Sequence, residues 1–167
     1  MAHTNNSTEI SFTLNGIPVT VSVPVRMHAA DFLRHRLDKT GTHVGCEQGV
    51  CGMCTIVVDD RPVKSCLLLA VQLDGRTVRT VEGLGEDGAL DALQAAFRKH
   101  HALQCGYCTP GFLMLAQGMA GRRMSADKIR EELNGVLCRC TGYEGIIRAI
   151  QDWLPTTYEQ QSEDVVS

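Results

Sequence analysis

Four cysteines in the first half of the chain place the strongest constraint on how it can fold. They follow the spacing C-x4-C-x2-C, with a fourth cysteine after eleven further residues: Cys46, Cys51, Cys54 and Cys66. The glycines Gly45, Gly49 and Gly52 leave the backbone free to wrap closely around a small core, because they have no Cβ atom to clash. The segment is therefore predicted to be a loop that encloses a metal centre held by thiolates.

This spacing is the one at which plant-type ferredoxins hold a [2Fe–2S] cluster. Backbone N–H groups of such a loop can point at the cluster sulfurs, where they stabilise negative charge and influence the reduction potential. Cys66 lies outside the loop and would tie it to a separate element of the domain. The first half of the chain is therefore predicted to bind one [2Fe–2S] cluster.

The composition agrees with a redox protein of a reducing compartment. A length of 167 residues allows one ordinary domain or two small ones, and the net charge of −3 with no basic patch does not indicate nucleic-acid binding. The N-terminus has no signal-peptide pattern, and no apolar run reaches the length needed to span a membrane. We expect a soluble, cytoplasmic chain whose eight cysteines serve metal chemistry and not disulfides.

The first half reads as a β-grasp ferredoxin domain over residues 8–82, after a flexible lead. Alternating or β-branched segments predict strands at residues 10–14, 19–23, 55–58, 62–65 and 77–81. Asn15-Gly16 predicts a hairpin turn between the first two strands. A helix is predicted over residues 29–37, with Gly41 ending it, and the apolar residues 67–71 are expected to be buried.

The second half reads as a small four-helix bundle over residues 87–155. It follows a linker at residues 82–88 that is rich in glycine and acidic residues. Beyond the linker the apolar period changes from two to about 3.6 residues, and the first helix is expected to bury Leu90 and Phe97 on one face. Residues 156–167 are predicted to be a flexible tail. The predicted fold class is therefore α+β.

Local signals predict where these helices begin and end. Three helix starts are indicated by Pro110 in a first turn, Ser125 as an N-cap, and Thr141 with Glu144 as a capping box. Helix ends are predicted at Gly121 and Pro155.

The other four cysteines lie at two of these predicted helix starts. Cys105 and Cys108 form CGYC before the second helix, and Cys138 and Cys140 form CRC before the fourth. Partial positive charge at a helix N-terminus favours thiolate over thiol and favours an anionic cluster. Packing of the helices would bring the two pairs together as a second set of four ligands.

Considered together, the eight cysteines with QCGYCTPG (104–111) and CRCTGY (138–143) resemble the small iron–sulfur subunit of the molybdenum hydroxylases, the xanthine oxidase family. The resemblance runs over residues 9–154, nearly the whole chain. It implies two [2Fe–2S] clusters in this chain and two partners, a large subunit with a molybdopterin (cytosine dinucleotide) cofactor and a medium subunit with FAD. The assembly it implies is a dimer of heterotrimers.

The resemblance also implies a direction for electrons. The helical cluster would lie nearest the molybdenum site, the β-grasp cluster would face the flavin, and the chain would hold no substrate site of its own. Gln104 and Cys140 match the family positions that lie against the pterin, so Cys140 would be both an iron ligand and a link to the molybdenum cofactor. The chain departs from many relatives at Val136, where they carry asparagine.

Several alternatives stay open from the sequence. Four cysteines can also hold structural zinc, and a free-standing ferredoxin would explain the first set but leave the second unused. Gln104 read without the family would be a packing or solvated residue, and Tyr107 and Tyr143 are expected to serve packing. The substrate of the complex stays undetermined among purines, N-heteroaromatics, aldehydes, carbon monoxide and acyl-CoA thioesters, as do the final acceptor and the cluster potentials.

Overall fold

The computed structural model describes residues 6–85 and 88–164, with side chains as far as Leu154. The first half is a five-stranded mixed sheet, in the order β2-β1-β5-β3-β4, with one α-helix. Its elements are β1 Ser7–Leu14, β2 Ile17–Pro24, α1 Ala29–Arg36, β3 Thr55–Val58, β4 Arg61–Lys64 and β5 Thr77–Arg79. All five predicted strands are present, although β1 takes in Ser7 and Thr8 and so shortens the expected lead. β4 and β5 end at Lys64 and Arg79, one and two residues before the predicted ends.

Two tight turns set the antiparallel pairs of the sheet. The predicted turn at Asn15-Gly16 is confirmed, with φ of 50° and 80°, and it joins β1 to β2. Asp59 and Asp60, with φ of 47° and 62°, join β3 to β4 in the same way. Positive φ at both central residues gives these turns the twist that the strands require. β5 is the central strand and joins the two hairpins, because it pairs parallel with β1 and antiparallel with β3.

Helix α1 covers the sheet and builds the first core. His28 caps it by accepting the Asp31 N–H on Nδ1 at 3.1 Å, and Phe32 packs at 6.1 Å from Phe12 of β1, measured between ring centroids. The helix ends at Arg36, because Leu37 leaves helical geometry and Asp38 takes a left-handed φ of 53°. The predicted span of residues 29–37 is therefore confirmed to within one residue, whereas the prediction that Gly41 ends the helix is wrong.

Residues 67–71 are not a buried apolar run. Leu67 is 63% exposed and Leu69 is 43% exposed, whereas Ala70 is fully buried. Short 3₁₀ turns at Ser65–Leu67 and Ala70–Leu73 explain the difference, because they direct only some of these side chains inward. The prediction of uniform burial is wrong, and two leucines beside Cys66 are left on the surface.

The second half contains four described α-helices around a separate core. They are α2 Ala92–Lys99, α3 Thr109–Gln117, α4 Ala126–Glu132 and α5 Glu144–Asp164. The core is built from fully buried apolar side chains that include Leu93, Phe97, Phe112, Ile129, Leu133 and Ile146. Among the described residues, no helix is both long and apolar enough to cross a membrane.

The start of α2 differs from the prediction. Asp91 is its N-cap, accepting the Gln94 N–H at 2.7 Å while the Gln94 side chain accepts the Asp91 N–H at 3.0 Å. This reciprocal capping box starts the helix after Leu90, which is 47% exposed. The expectation that Leu90 lies on the buried face is therefore wrong, whereas Phe97 is buried as expected.

The start of α3 follows the prediction and its end does not. Pro110 lies in the first turn as expected. The helix ends at Gln117 with Gly118 as its cap, and not at Gly121. A Cβ on Gly118 would overlap the ring of Pro62 on β4, so glycine permits the helix end to pack against the sheet.

Ser125 caps α4 as predicted, by accepting the Lys128 N–H at 3.3 Å. The capping box of Thr141 and Glu144 is not formed, because the Thr141 hydroxyl accepts the Tyr143 N–H at 3.1 Å and contacts the Cys138 sulfur at 3.1 Å.

The end of α5 predicted at Pro155 is also wrong. The helix continues to Asp164, and residues 165–167 of the predicted tail lie outside the described residues. Proline holds φ at about −65°, which is compatible with a helix. Proline destabilises a helix mainly because it lacks the amide donor and crowds the preceding turn.

Candidate metal centres

Three cysteines of the first set lie on the loop between α1 and β3. Cys46 is the most exposed of them, and its sulfur accepts the N–H groups of Cys51 at 3.3 Å and Gln48 at 3.4 Å. These backbone donors lower the pKa of Cys46 to about 7, because they stabilise the thiolate. The loop therefore points amides at sulfur, as the glycine content predicted.

Cys54 and Cys66 are held together by main-chain geometry. The Ser65 hydroxyl and N–H both donate to the Cys54 carbonyl, at 2.7 and 3.2 Å, which places Cys66 beside Cys54. Burial, followed by the hydrogen bond with the Cys54 thiol, raises the pKa of Cys66 to about 11. A thiolate here would need a neighbouring cation, which a bound metal supplies.

Lys64 anchors the same loop from the sheet. Its Nζ donates to the Gly49 carbonyl at 2.7 Å, across the interval between Cys46 and Cys51. Gly49 has a φ of 74°, and an added Cβ there would lie 2.5 Å from a methyl group of Leu67. Neither contact was foreseen from the sequence, because both depend on where β4 and its following turn lie.

The second set gathers at the N-termini of α3 and α5. The Cys105 and Cys140 sulfurs are 3.6 Å apart and exposed, whereas Cys108 is the buried N-cap residue of α3. Burial, followed by the hydrogen bond with the Cys138 thiol, raises the pKa of Cys108 to about 12. The folded chain thus brings the cysteines of CGYC close to those of CRC, as predicted.

Thr141 and Tyr143 support Cys138. Burial acts to raise the pKa of Cys138, but the Thr141 hydroxyl and N–H, at 3.1 and 3.4 Å from its sulfur, outweigh burial and lower it. The Tyr143 hydroxyl accepts the Cys138 N–H at 2.9 Å, and its ring meets Phe112 edge-on at 5.9 Å. Tyr143 was expected to serve packing, and its hydrogen bond to the Cys138 N–H is a second role. The TGY motif was the sequence signal from which that role could have been predicted.

A mixed group of His28, Asp31 and Glu47 also brings possible metal ligands together. The His28 Nδ1 accepts the Asp31 N–H, so the ring carries a proton on Nε2, which lies 3.3 Å from Asp31 Oδ2. Both ring nitrogens are thereby engaged, and the group is better described as the cap of α1.

The donor chemistry of the two cysteine sets fits iron–sulfur clusters. All eight cysteines are free thiols, and each set offers sulfur alone, which suits either an iron–sulfur cluster or tetrahedral zinc. Each set contains thiols with raised pKa values beside thiols with lowered ones. A bound metal cation would favour the thiolate form of all of them. Gln104, the other predicted site residue, lies exposed beside Cys105.

Comparison with known proteins decides between these metals. Residues 12–77 match the 2Fe-2S iron-sulfur cluster binding domain, and residues 80–151 match the [2Fe-2S] binding domain. The chain is 53% identical over 162 residues to the caffeine dehydrogenase subunit gamma of Pseudomonas sp. (strain CBB1), covering 94% of this chain and 97% of that one. It is also 52% identical over 146 residues to the nicotine 6-hydroxylase small subunit of Paenarthrobacter nicotinovorans, covering 86% and 88%.

The chain belongs to the small iron–sulfur subunits of the molybdenum hydroxylase family. Among solved structures, quinoline 2-oxidoreductase from Pseudomonas putida 86 contains a chain with a TM-score of 0.88 and 51% identity, covering 95% of this subunit and 98% of that chain. Aldehyde oxidoreductase from Desulfovibrio gigas aligns with a TM-score of 0.86 and 34% identity, over 92% of this subunit but 17% of the longer chain. The subunit therefore has two [2Fe–2S]-binding domains and transfers electrons within a molybdenum-containing hydroxylase or dehydrogenase.

Proposed function

We propose that each set of four cysteines holds one [2Fe–2S] cluster, and that the pair carries electrons from a molybdopterin cofactor to a flavin. The observation that carries this proposal is the gathering of all eight cysteines into two sulfur-only groups, one in each half of the chain. The first cluster would be held by Cys46, Cys51, Cys54 and Cys66, and the second by Cys105, Cys108, Cys138 and Cys140.

The two halves correspond in this proposal to two domains. Residues 8–82 form a β-grasp ferredoxin domain, for which the mixed sheet covered by α1 is the support. Residues 87–155 form a four-helix bundle, supported by the contacts of α5 with α2 and α4 and by one continuous apolar core. The two family matches, over residues 12–77 and 80–151, divide the chain within a few residues of the proposed boundary.

The exposure of the second set supports a partner at that face. Cys105, Cys140 and Gln104 are exposed, and Leu103 and Leu137 beside them are 42% and 47% exposed. Apolar side chains around functional groups at a surface are typical of an interface that a partner covers. We propose that the large subunit binds here, with its molybdopterin cytosine dinucleotide against Gln104 and Cys140.

The first set would then serve the medium, FAD-binding subunit. Val50 and Leu67, which flank this loop, are 60% and 63% exposed and leave an apolar surface beside the first cluster. Two such faces allow a heterotrimer, and its dimer is the proposed assembly. The cytoplasm is the proposed location, because eight free cysteines suit a reducing compartment.

The relatives with more than 50% identity favour one substrate class for the complex. Their names refer to caffeine, nicotine and quinoline, whereas two aldehyde oxidoreductase subunits from Escherichia coli are 36% and 37% identical. We propose that the partner of this subunit hydroxylates an N-heteroaromatic compound.

Purification of the native complex tests this function. We expect the subunit to co-elute with molybdenum and FAD, to contain iron with acid-labile sulfide, and to become reduced when an N-heteroaromatic substrate is added. A monomer without co-eluting molybdenum or flavin would contradict the partner proposal. Zinc without sulfide would contradict the clusters, and reduction by an aldehyde but by no heterocycle would contradict the substrate class.

Replacing Gln104 with alanine is expected to slow reduction of the clusters by substrate about tenfold, because one buried hydrogen bond to the cofactor is worth about 1.4 kcal/mol. Both EPR signals should persist, since no cluster ligand is changed. The matched control is Gln151→Ala, which shortens a different exposed glutamine, located on α5. This variant should leave the rate unchanged. Equal rates in the two variants would assign Gln104 a packing role.

A further inference from the structure

Lys64 directs its positive charge at the backbone of the loop that carries the first cysteine set. Its Nζ donates to the Gly49 carbonyl at 2.7 Å in a partly buried hydrogen bond. Lys64 takes part in none of the ion pairs that the described residues form. The only carboxylate within residues 45–54, that of Glu47, is instead grouped with Asp31 of α1. The ammonium group of Lys64 therefore acts on a carbonyl of the loop and not on a carboxylate.

The peptide that accepts this hydrogen bond also faces a proposed cluster ligand. The Gly49 C=O and the Val50 N–H belong to one planar trans peptide, so they point in opposite directions. The pKa of Cys46 is lowered by N–H groups of the loop, chiefly that of Cys51, and the Val50 N–H adds to this effect. Lys64 thus lies at one end of a peptide unit whose other end is directed at the Cys46 sulfur.

Packing and strand pairing hold this peptide and Lys64 in place. Gly49 has a φ of 74°, and an added Cβ would lie 2.5 Å from a methyl group of Leu67. Lys64 is the last residue of β4 and pairs with Thr55 of β3, which directly follows Cys54. The lysine is therefore fixed on the sheet, and its Nζ meets the Gly49 carbonyl from a rigid base.

A charged donor on a carbonyl changes the peptide at its other end. A charge-assisted hydrogen bond polarises the peptide unit, so that its N–H becomes a stronger donor. Stronger N–H donors and nearby positive charge stabilise the reduced form of a thiolate-held cluster, because reduction adds one negative charge. Solvent screens a partly buried charge less than an exposed one. The charge of Lys64 is thus expected to favour reduction of a cluster at the first site.

We propose that Lys64 is a positioning residue that raises the midpoint potential of the first cluster by polarising the Gly49–Val50 peptide. One electron enters and one electron leaves in each step, and no bond is formed or broken at Lys64. In the proposed function this cluster passes electrons to the flavin, so Lys64 would set how readily electrons collect beside the flavin. The inference rests on the first ligand set given under the proposed function.

Lys64→Met in the assembled complex keeps a side chain of similar length and removes both the charge and the donor. We expect the equilibrium constant for reduction of the first cluster to fall about tenfold, which lowers its one-electron midpoint potential by about 59 mV. The potential of the second cluster should not change. Redox titration followed by EPR provides the measurement, and the first cluster is identified by the signal that Cys51→Ser removes.

Two further variants separate this effect from a structural one. Lys64→Arg keeps a positive charge and a donor, and it should restore most of the potential. Arg61→Met removes a positive charge from the exposed other end of β4, where solvent screens it, and should leave both potentials unchanged. An unchanged potential in Lys64→Met, or an equal decrease in Lys64→Arg or Arg61→Met, would overturn the proposal.

Lys64→Gln covers the case in which methionine prevents the first cluster from binding. Its amide is a neutral donor for the Gly49 carbonyl, so a smaller decrease of the same potential is expected. An unchanged potential in this variant would also overturn the proposal. Absence of one EPR signal from the unaltered complex would instead contradict the ligand sets, so failure of this inference and failure of the proposed function are distinguishable.

Discussion

Cys105→Ser is expected to abolish the EPR signal of one [2Fe–2S] cluster and to leave the other signal intact, and Cys51→Ser is expected to do the reverse. Each variant should retain about half of the iron, since in the proposed function each set of four thiolates holds its own cluster. Serine is a poor substitute, because its hydroxyl does not ionise as readily as a thiol and is a harder ligand.

The structure makes these two variants good controls for each other. Cys105 is exposed at the end of the helical half, and Cys51 is buried on the loop of the first half. The bond between the Cys51 carbonyl and the Leu137 N–H uses main-chain atoms and survives the substitution. Iron analysis and EPR of the purified complex provide the measurement, and loss of both signals from either folded variant would contradict two independent centres.

Gly52→Ala is expected to have the largest effect on stability among glycine substitutions in the two cysteine loops. The position has a φ of 69°, so alanine there costs about 1–2 kcal/mol from backbone strain alone. The new Cβ would also overlap the Gly135 carbonyl, which is backbone and cannot rotate away. Overpacking of this kind adds about 1–3 kcal/mol, so we expect easier thermal unfolding and a lower iron content of the first cluster.

Gly106→Ala is the matched control for this prediction. Gly52 lies in CGMC and Gly106 in CGYC, so both follow a proposed ligand and precede another. Gly106 has a φ of 82°, but no atom of the described residues lies within 4 Å of an added Cβ. Gly106→Ala should therefore introduce the backbone strain without the steric overlap. Equal losses of thermal stability and cluster content in the two variants would show that the approach of the two backbones is unimportant.

Predictions from local sequence signals succeeded at some positions and failed at others, where another group took the expected partner. Pro110 and Ser125 were placed correctly, because each acts on its own helix turn. The box expected at Thr141 failed, because the threonine hydroxyl bonds the Tyr143 N–H and the Cys138 sulfur. The expected burial of Leu90 failed because the capping box of Asp91 and Gln94 starts the helix at Ala92, beyond Leu90.

The family could be recognised from the sequence, because cluster chemistry requires thiolates at short and characteristic spacings, and the same spacings predict how the eight cysteines are grouped. The contacts around those thiolates could not be predicted from the sequence. The contacts of Lys64 with Gly49, Tyr143 with Cys138 and Leu137 with Cys51 arise from how turns, helices and the two halves pack. No local spacing encodes which amide meets which carbonyl across a glycine contact, so that information came from the folded chain alone.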